Sequence, residues 1–249
     1  MIIDMHAHLH TNVLGRIGNE ETVIRNIERG LIDQAVVSSL YGGLYPTLDE
    51  LREANRQVYR FTQRYPGQIL GYCYVNPLLG EASLNEFRHC IEDLGMVGMK
   101  WWVAVRANDP RGDMFFAQAA EYRVPILLHA WVKAAGNTPG ESFPDDVRLA
   151  AQRFPETVFL MAHRGGDWQY GKKAARGMAN IYVDIGGPNE MGIVEEMVAD
   201  VGADHLVLGS DNVDVSYCVG VVRGAQISEE ERARILCGTA QYLLGLRRP

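Results

Sequence analysis

The chain opens Met-Ile-Ile-Asp-Met-His-Ala-His-Leu-His. His6 and His8 stand two residues apart at the end of an apolar run. If that run is a β-strand, side chains alternate faces and the two imidazoles point the same way. Paired imidazoles on one strand end are a natural two-ligand bite for a divalent metal. Three further residues sit in comparable places. His129 ends Val-Pro-Ile-Leu-Leu-His, His163 ends Val-Phe-Leu-Met-Ala-His, and Asp211 follows Leu-Val-Leu-Gly-Ser. Each marks the point where an apolar run gives way to a loop.

Such residues meet only if a fold gathers the strand ends. Short apolar runs at 2–6, 34–39, 69–75, 97–103, 125–129, 158–163, 181–185 and 205–209 read as strands. Helical patterns lie between them, at 20–29, 83–94, 114–122, 144–153, 172–178 and 190–201. Thr47 with Glu50, and Ser228 with Glu231, are capping boxes that open two more helices. The last runs into 235–237, with a short helix at 241–244. The β/α period of about 30 residues, repeated about eight times, predicts a single (β/α)8 TIM barrel over 1–249. A doubly wound sheet would need a Gly-rich dinucleotide turn after the first strand, and none is there. In a TIM barrel the C-terminal strand ends converge on one pocket. Strands 1, 5, 6 and 8 would then bring His6, His8, His129, His163 and Asp211 around one centre.

Composition narrows the partners. The 249 residues are 47% hydrophobic and 22% charged, ordinary for a soluble globular chain, with formal net charge −7. Basic residues are dispersed, which argues against nucleic acid. No run approaches about 18 apolar residues, which argues against a membrane span. With the first strand starting at Met1 or Ile2, no secretory signal is expected. Cys73, Cys90, Cys218 and Cys237 form no Cys-x-x-Cys pair and read as reduced thiols of a cytoplasmic protein. The expected partner is a small molecule; a homo-oligomer is allowed but not indicated.

Two imidazoles facing into a barrel are costly unless bonded or metallated. A carboxylate at Asp211 would likewise call for a cation or donor. His6, His8, His129 and Asp211 are therefore candidate metal ligands, with Asp211 also a candidate general base. His163 is a candidate for a second metal, for the substrate oxygen or for the attacking water; the plainer reading is a core histidine bonded to a carbonyl. Lys100, in Gly-Met-Lys-Trp-Trp, is carbamylated between two metals, or an ammonium gripping a substrate carboxylate, or an outward snorkelling residue. Loops after the strands should line the pocket with Tyr41, Trp102, Arg106, Trp131 and Arg164. An Arg there would pair with a substrate carboxylate or sit in a salt bridge within the loops. His10 is expected at the pocket rim. His89, mid-helix, and His205, at the wrong end of the barrel, read as structural or surface residues.

Asp4-Met-His-Ala-His, His129, His163-Arg-Gly-Gly and Gly209-Ser-Asp together resemble the amidohydrolase superfamily. The best match is its amidohydrolase-2 branch, which includes aminocarboxymuconate semialdehyde decarboxylase-like enzymes. Residues 235–246 resemble the branch's C-terminal helix. The resemblance implies a metal-dependent TIM barrel, ligand roles for His6, His8, His129 and Asp211, and a substrate- or water-facing His163. Lys100 resembles a lysine that some binuclear relatives carbamylate, but the branch more usually works with one metal. Asn212 and Val213 stand where the branch often has a Pro two residues after the Asp, and Thr239 stands where it often has Asn. The compact chain lacks the insertions of many of the decarboxylases, which weighs toward hydrolysis.

The leading expectation is thus a hydrolase using one divalent ion, zinc first and manganese or iron next, with a second ion only if Lys100 is carbamylated. Such an ion lowers the pKa of water it holds and polarises a carbonyl. Small amides and lactones are the expected substrates. A decarboxylase of a small aromatic or enoic acid is the alternative, and a non-catalytic metal-binding barrel is the third reading.

Overall fold

The computed structural model describes residues 1–9, 12–13, 16–17, 19–187, 192–212 and 214–245. Eight strands form one parallel sheet in chain order: β1 (Ile3–Leu9), β2 (Gln34–Ser39), β3 (Ile69–Val75), β4 (Gly98–Trp101), β5 (Ile126–Leu128), β6 (Phe159–Met161), β7 (Ile181–Asp184) and β8 (Leu206–Val207). Each is followed by a helix: α1 (Glu20–Glu28), α2 (Leu48–Arg64), α3 (Glu81–Glu92), α4 (Asp113–Tyr122), α5 (Pro144–Arg153), α6 (Trp168–Ala175), α7 (Ile193–Val201) and α8 (Val215–Gly224). The fold is a (β/α)8 barrel. A two-residue hairpin, Asn12–Val13 with Arg16–Ile17, follows β1. His10, expected at the rim, lies outside the described residues.

The barrel closes between β8 and β1 through few bonds. Met5 N–H donates to Leu208 O at 2.9 Å and Asp211 N–H to His6 O at 2.7 Å. The buried Asp4 carboxylate reinforces them, accepting from Ser210 N at 2.9 Å, Ser210 Oγ at 2.5 Å and His6 N at 3.0 Å. Inside, Ile3, Met5, Val36, Tyr72, Leu127, Leu160 and Val207 form an apolar plug beneath the site. Outward-facing neighbours such as Val37, Met99, Trp101, Ile126 and Phe159 pack against the helices. This alternation decides Lys100. Trp101 lies outward against Phe115 and Phe116, at ring separations of 5.9 and 4.9 Å, so Lys100 must point inward.

Several expected boundaries shift. β1 runs three residues past His6, so both histidines lie within it. β6 stops at Met161, and Ala162–Gly165 turns away from the strand. α6 begins at Trp168 because Asp167 caps it, accepting from Gln169 N at 2.9 Å. The first residues of the helix expected at 190–201 lie outside the described residues, and α7 starts at Ile193. α8 was not expected: its Val-rich, Gly-containing sequence is a poor helix former. Asp214 caps it, and Val215, Cys218, Val219 and Val222 form its buried stripe. α9 (Glu229–Ala233), a π-turn at Arg234–Gly238 and α10 (Thr239–Gly245) close the base. Both expected capping boxes form.

Barrel closure through Asp4 is testable. Asp4→Ala leaves Ser210 N and His6 N as buried donors without their partner, at about 1–3 kcal/mol each. A fall in the urea unfolding midpoint with an unchanged slope is the expected result.

Candidate metal centre

His6 and His8 share the inner face of β1, and their Nε2 atoms approach to 2.8 Å. His6 Nδ1 faces Asp184 Oδ2 at 2.6 Å, and His8 Nδ1 faces Ser38 Oγ at 2.7 Å. A carboxylate only accepts, so His6 carries its hydrogen on Nδ1. With His8 Nδ1–H donating to Ser38, both Nε2 atoms present lone pairs to one point. Asp211 Oδ1 joins them at 3.5 and 3.3 Å. Burial, reinforced by Lys100, pushes the His6 and His8 imidazoles well below the usual histidine range, so they stay neutral. Three lone-pair donors converging in a buried site fit a divalent cation.

Lys100 Nζ stands 3.3 Å from His6 Nε2. Burial pulls this amine down, opposed by Asp211 and Asp184. Burial pushes the Asp211 carboxyl up, opposed by Lys100. The side chain of Asp211 is nonetheless about 20% exposed, toward the cavity.

The second cluster forms after β5 and β6. His163 Nε2 lies 3.2 Å from His129 Nδ1. His163 Nδ1 is buried without a hydrogen-bond partner among the described residues, and Asp211 Oδ2 is 3.7 Å away. An orphaned buried nitrogen aimed at a carboxylate leaves room for an ion, a water or a substrate atom. His163 and Asp211 share a backbone oddity. His163 (φ 56), Arg164 (φ 51), Gly165 (φ 74) and Gly166 (φ 78) make one left-handed turn, and Asp211 (φ 50) and Asn212 (φ 56) make another. Non-glycine residues pay roughly 1–2 kcal/mol each for this conformation. Asn212 offsets its cost by pairing its amide with the His8 backbone, accepting from His8 N at 2.5 Å and donating to His8 O at 2.8 Å.

Described groups whose ligand atoms lie within 4.8 Å of one another are His6/His8/Asp211 and His6/His163/Asp184. His129, expected as a fourth ligand, belongs to neither. Its Nε2 is taken by Glu141 Oε1 at 2.8 Å, leaving Nδ1 to face His163. Asp184 fills its acceptors otherwise: Oδ2 with His6, and Oδ1 with the N–H groups of His163 at 2.9 Å and Gly186 at 3.0 Å.

The cavity above holds about 350 Å³, lined by His8, Lys100, His129, His163 and Asp211 on its floor and by Trp102, Trp131, Leu40, Leu44, Val103 and Lys133 on its walls. Three expected pocket residues do not line it. Tyr41 is exposed, with its N–H on Ser39 Oγ. Arg106 lies over the Phe143 ring, 5.0 Å from its centroid. Arg164 is buried and donates to the carbonyls of Ile185 and Gly186, because its left-handed turn directs it to the segment that follows β7. A larger cleft of about 650 Å³, lined by Met1, Arg223, Arg232 and Arg234, lies at the opposite end and contains none of the candidates. His205 stacks on Tyr182 and bonds Ile181 O, while His89 lies exposed at the surface beside Asp93; neither lines the cavity.

Sequence reading missed Asp184, Ser38 and Glu141. Asp184 had a signal: a charge inside the apolar Ile181-Tyr-Val-Asp-Ile run. Ser38 and Glu141 had none, since their roles depend on distant partners.

A sequence profile of the amidohydrolase family (the second of that name) matches residues 3–246. The chain belongs to the amidohydrolase family. Its members are metal-dependent enzymes. No curated protein matches the chain. Solved structures match its fold almost end to end. 2,6-Dihydroxybenzoate decarboxylase from Rhizobium superposes with a TM-score of 0.80 at 14% identity, covering 98% of each chain. Dihydroxybenzoic acid decarboxylase from Polaromonas sp. JS666, with bound manganese and 2-nitroresorcinol, gives 0.79 at 16%, covering 100% of this chain and 98% of that one. 4-Oxalomesaconate hydratase from Rhodopseudomonas palustris gives 0.73 at 14%, covering 99% and 96%. Compactness therefore does not set this amidohydrolase apart from decarboxylases of the same fold. Among the described residues no helix is long and apolar enough to cross a membrane.

If the His6/His8/Asp211 group holds an ion, metal should stabilise the fold. At a free-ion concentration 100 times Kd the gain is about 2.7 kcal/mol, or roughly 5–10 °C in Tm for a chain this size. His8→Ala should abolish that shift and the bound metal in elemental analysis. An unchanged metal content in His8→Ala would place the ion elsewhere.

Proposed function

We propose that this chain is a metal-dependent enzyme acting on a small planar carboxylate, and that it cleaves the bond to the carboxyl carbon, releasing CO2. The observation that carries this reading is Lys100. It is a buried amine on the cavity floor, 3.3 Å from His6 Nε2 and beneath two indoles. Lys100 and Lys133 are the only Lys or Arg side chains among the described lining residues, and Lys133 is already held by Glu141. With Lys133 so engaged, Lys100 is the lining cation left to pair with an anionic group in the cavity. Trp102 and Trp131 offer flat apolar walls to a ring or conjugated chain, and about 350 Å³ suits one small ring with substituents.

His6, His8 and Asp211 would hold one divalent ion, with His129 Nδ1 and His163 facing it from across the floor. Zinc, manganese and iron all suit such donors. The ion supplies Lewis-acid polarisation of a substrate oxygen. Lys100, as an ammonium, orients the carboxylate. Asp211, a ligand whose carboxylate also faces the cavity, delivers a proton taken from water. As the carbon–carbon bond breaks, its electron pair stays on the substrate carbon and takes that proton. His163 Nδ1, without a hydrogen-bond partner among the described residues, lies at the cavity floor as a lone pair that can accept from a substrate hydroxyl or a water. The same-fold decarboxylases support this reading.

Hydrolysis of an amide or lactone is the second reading. It is favoured by the Asp211 carboxylate beside two neutral imidazoles, where it can take a proton from water and pass it to a leaving group.

A parallel screen separates the two: aromatic and enoic carboxylates with CO2 detection, and lactones and amides with acid release. On the productive substrate, Asp211→Asn should cut turnover by about 10² or more while much of the metal remains. Full activity in that variant would move the proton to His163 or a loop residue. Metal stoichiometry should be near one per chain. A value near two, lost in Lys100→Ala, would show a carbamate and remove the ammonium from the mechanism.

A further inference from the structure

The loop between β5 and α5 carries a buried carboxylate that the chemistry above does not use. Glu141 is 1% exposed. Its oxygens accept from His129 Nε2 at 2.8 Å, from Lys133 Nζ at 2.8 Å on each oxygen, and from Thr138 N at 2.8 Å. The loop around it is cross-braced. Trp131 N–H donates to Ser142 O at 2.9 Å and Asn137 Nδ2 to Trp131 O at 2.6 Å. Ser142 Oγ accepts from Ala107 N at 3.0 Å, and Pro139 O accepts from Tyr45 Oη at 3.1 Å, tying the loop to those that follow β4 and β2. Gly140 (φ 84) passes so close to β4's following loop that a Cβ would stand 2.3 Å from Val103 O. The loop therefore delivers Glu141 to one place.

That place decides how His129 presents itself. An imidazole beside a carboxylate puts its hydrogen on the nitrogen that faces it. Here that nitrogen is Nε2, so Nδ1 is the lone-pair atom, and Nδ1 is the one turned toward His163 and the floor. The same loop carries Trp131, whose ring stacks on His129 at 17° with centroids 5.9 Å apart. One carboxylate thus holds a histidine by its edge while the loop it anchors holds the ring by its face. We propose that Glu141 is a positioning residue: it fixes His129 as the Nε2–H tautomer with Nδ1 toward the metal centre, and Lys133 is the counter-ion that keeps Glu141 in place. The proposal rests on the metal reading above only in that Nδ1 needs an ion to face.

The test uses the full chain labelled with 15N-histidine. Long-range proton–nitrogen spectra report which nitrogen of each imidazole carries hydrogen, and His129→Gln assigns the His129 signals. Wild-type protein prepared without metal should show His129 protonated at Nε2 and bare at Nδ1. Protonation at Nδ1 overturns the proposal outright. Glu141→Ala should turn that single tautomer into a mixture and weaken Mn²⁺ binding, measured by chelator competition, by about 10–100-fold. Glu141→Gln, whose amide oxygen still accepts from Nε2–H, should keep the tautomer and recover most of the affinity. A folded Glu141→Ala protein with wild-type tautomer and affinity also overturns it. If Glu141→Ala does not fold, the wild-type and Glu141→Gln spectra decide. If the tautomer is as stated but wild-type protein binds no divalent ion, the metal reading fails while the tautomer assignment stands.

Discussion

The site depends on the Asp184 carboxylate more than on any other single group. It lies at the end of β7, with its side chain fully buried. One oxygen takes the hydrogen of His6 Nδ1, and the other takes the backbone N–H groups of His163 and Gly186. A buried carboxylate is tolerated only where such donors replace its hydration. In return it performs two placements together. It turns the His6 lone pair toward His8 and Asp211, and it pins the first residue of the left-handed turn that carries His163. Gly209 records how tight this corner is, since a Cβ there would fall 2.8 Å from Asp184 Cβ and 2.9 Å from His6 Cβ.

Around that carboxylate the barrel is layered by chemistry. The lower interior is apolar, from Ile3 and Val36 to Leu160 and Val207. The upper layer is almost wholly titratable: His6, His8, Lys100, His129, His163 and Asp211. Burial drives these groups toward their neutral forms, as the lowered histidines and raised Asp211 show. Neutral imidazoles keep the lone pairs that metal binding needs. The apolar plug thus does more than stabilise the fold, because it keeps bulk water from reaching the site from below.

Periodic features were legible in the sequence and singular ones were not. The eight strands and most helices follow from alternation, helical spacing and capping pairs such as Thr47/Glu50. The residues at strand ends converge because the barrel has one rim. What escaped was whatever depends on a partner remote in the chain. Lys100 had an undecidable facing until Trp101 was seen packed outward. Glu141 reads as an ordinary loop acid until its bond to His129 appears. Arg164 sits beside a candidate ligand in sequence, yet the left-handed backbone carries it away from the cavity. α8 was hidden because its valines and glycines favour other structures, and only its buried stripe and Asp214 cap make it a helix.

The two left-handed turns have an evolutionary consequence. At His163 and Asp211 the positive φ acts as a filter on descent. β-Branched side chains are strongly disfavoured there, while Asn, Asp, His and Gly are accommodated. Lineages that drift at these positions can exchange one polar short side chain for another, or fall to glycine and lose the group altogether. The backbone, laid down before any substrate is chosen, narrows the chemistries that descendants of this barrel can reach.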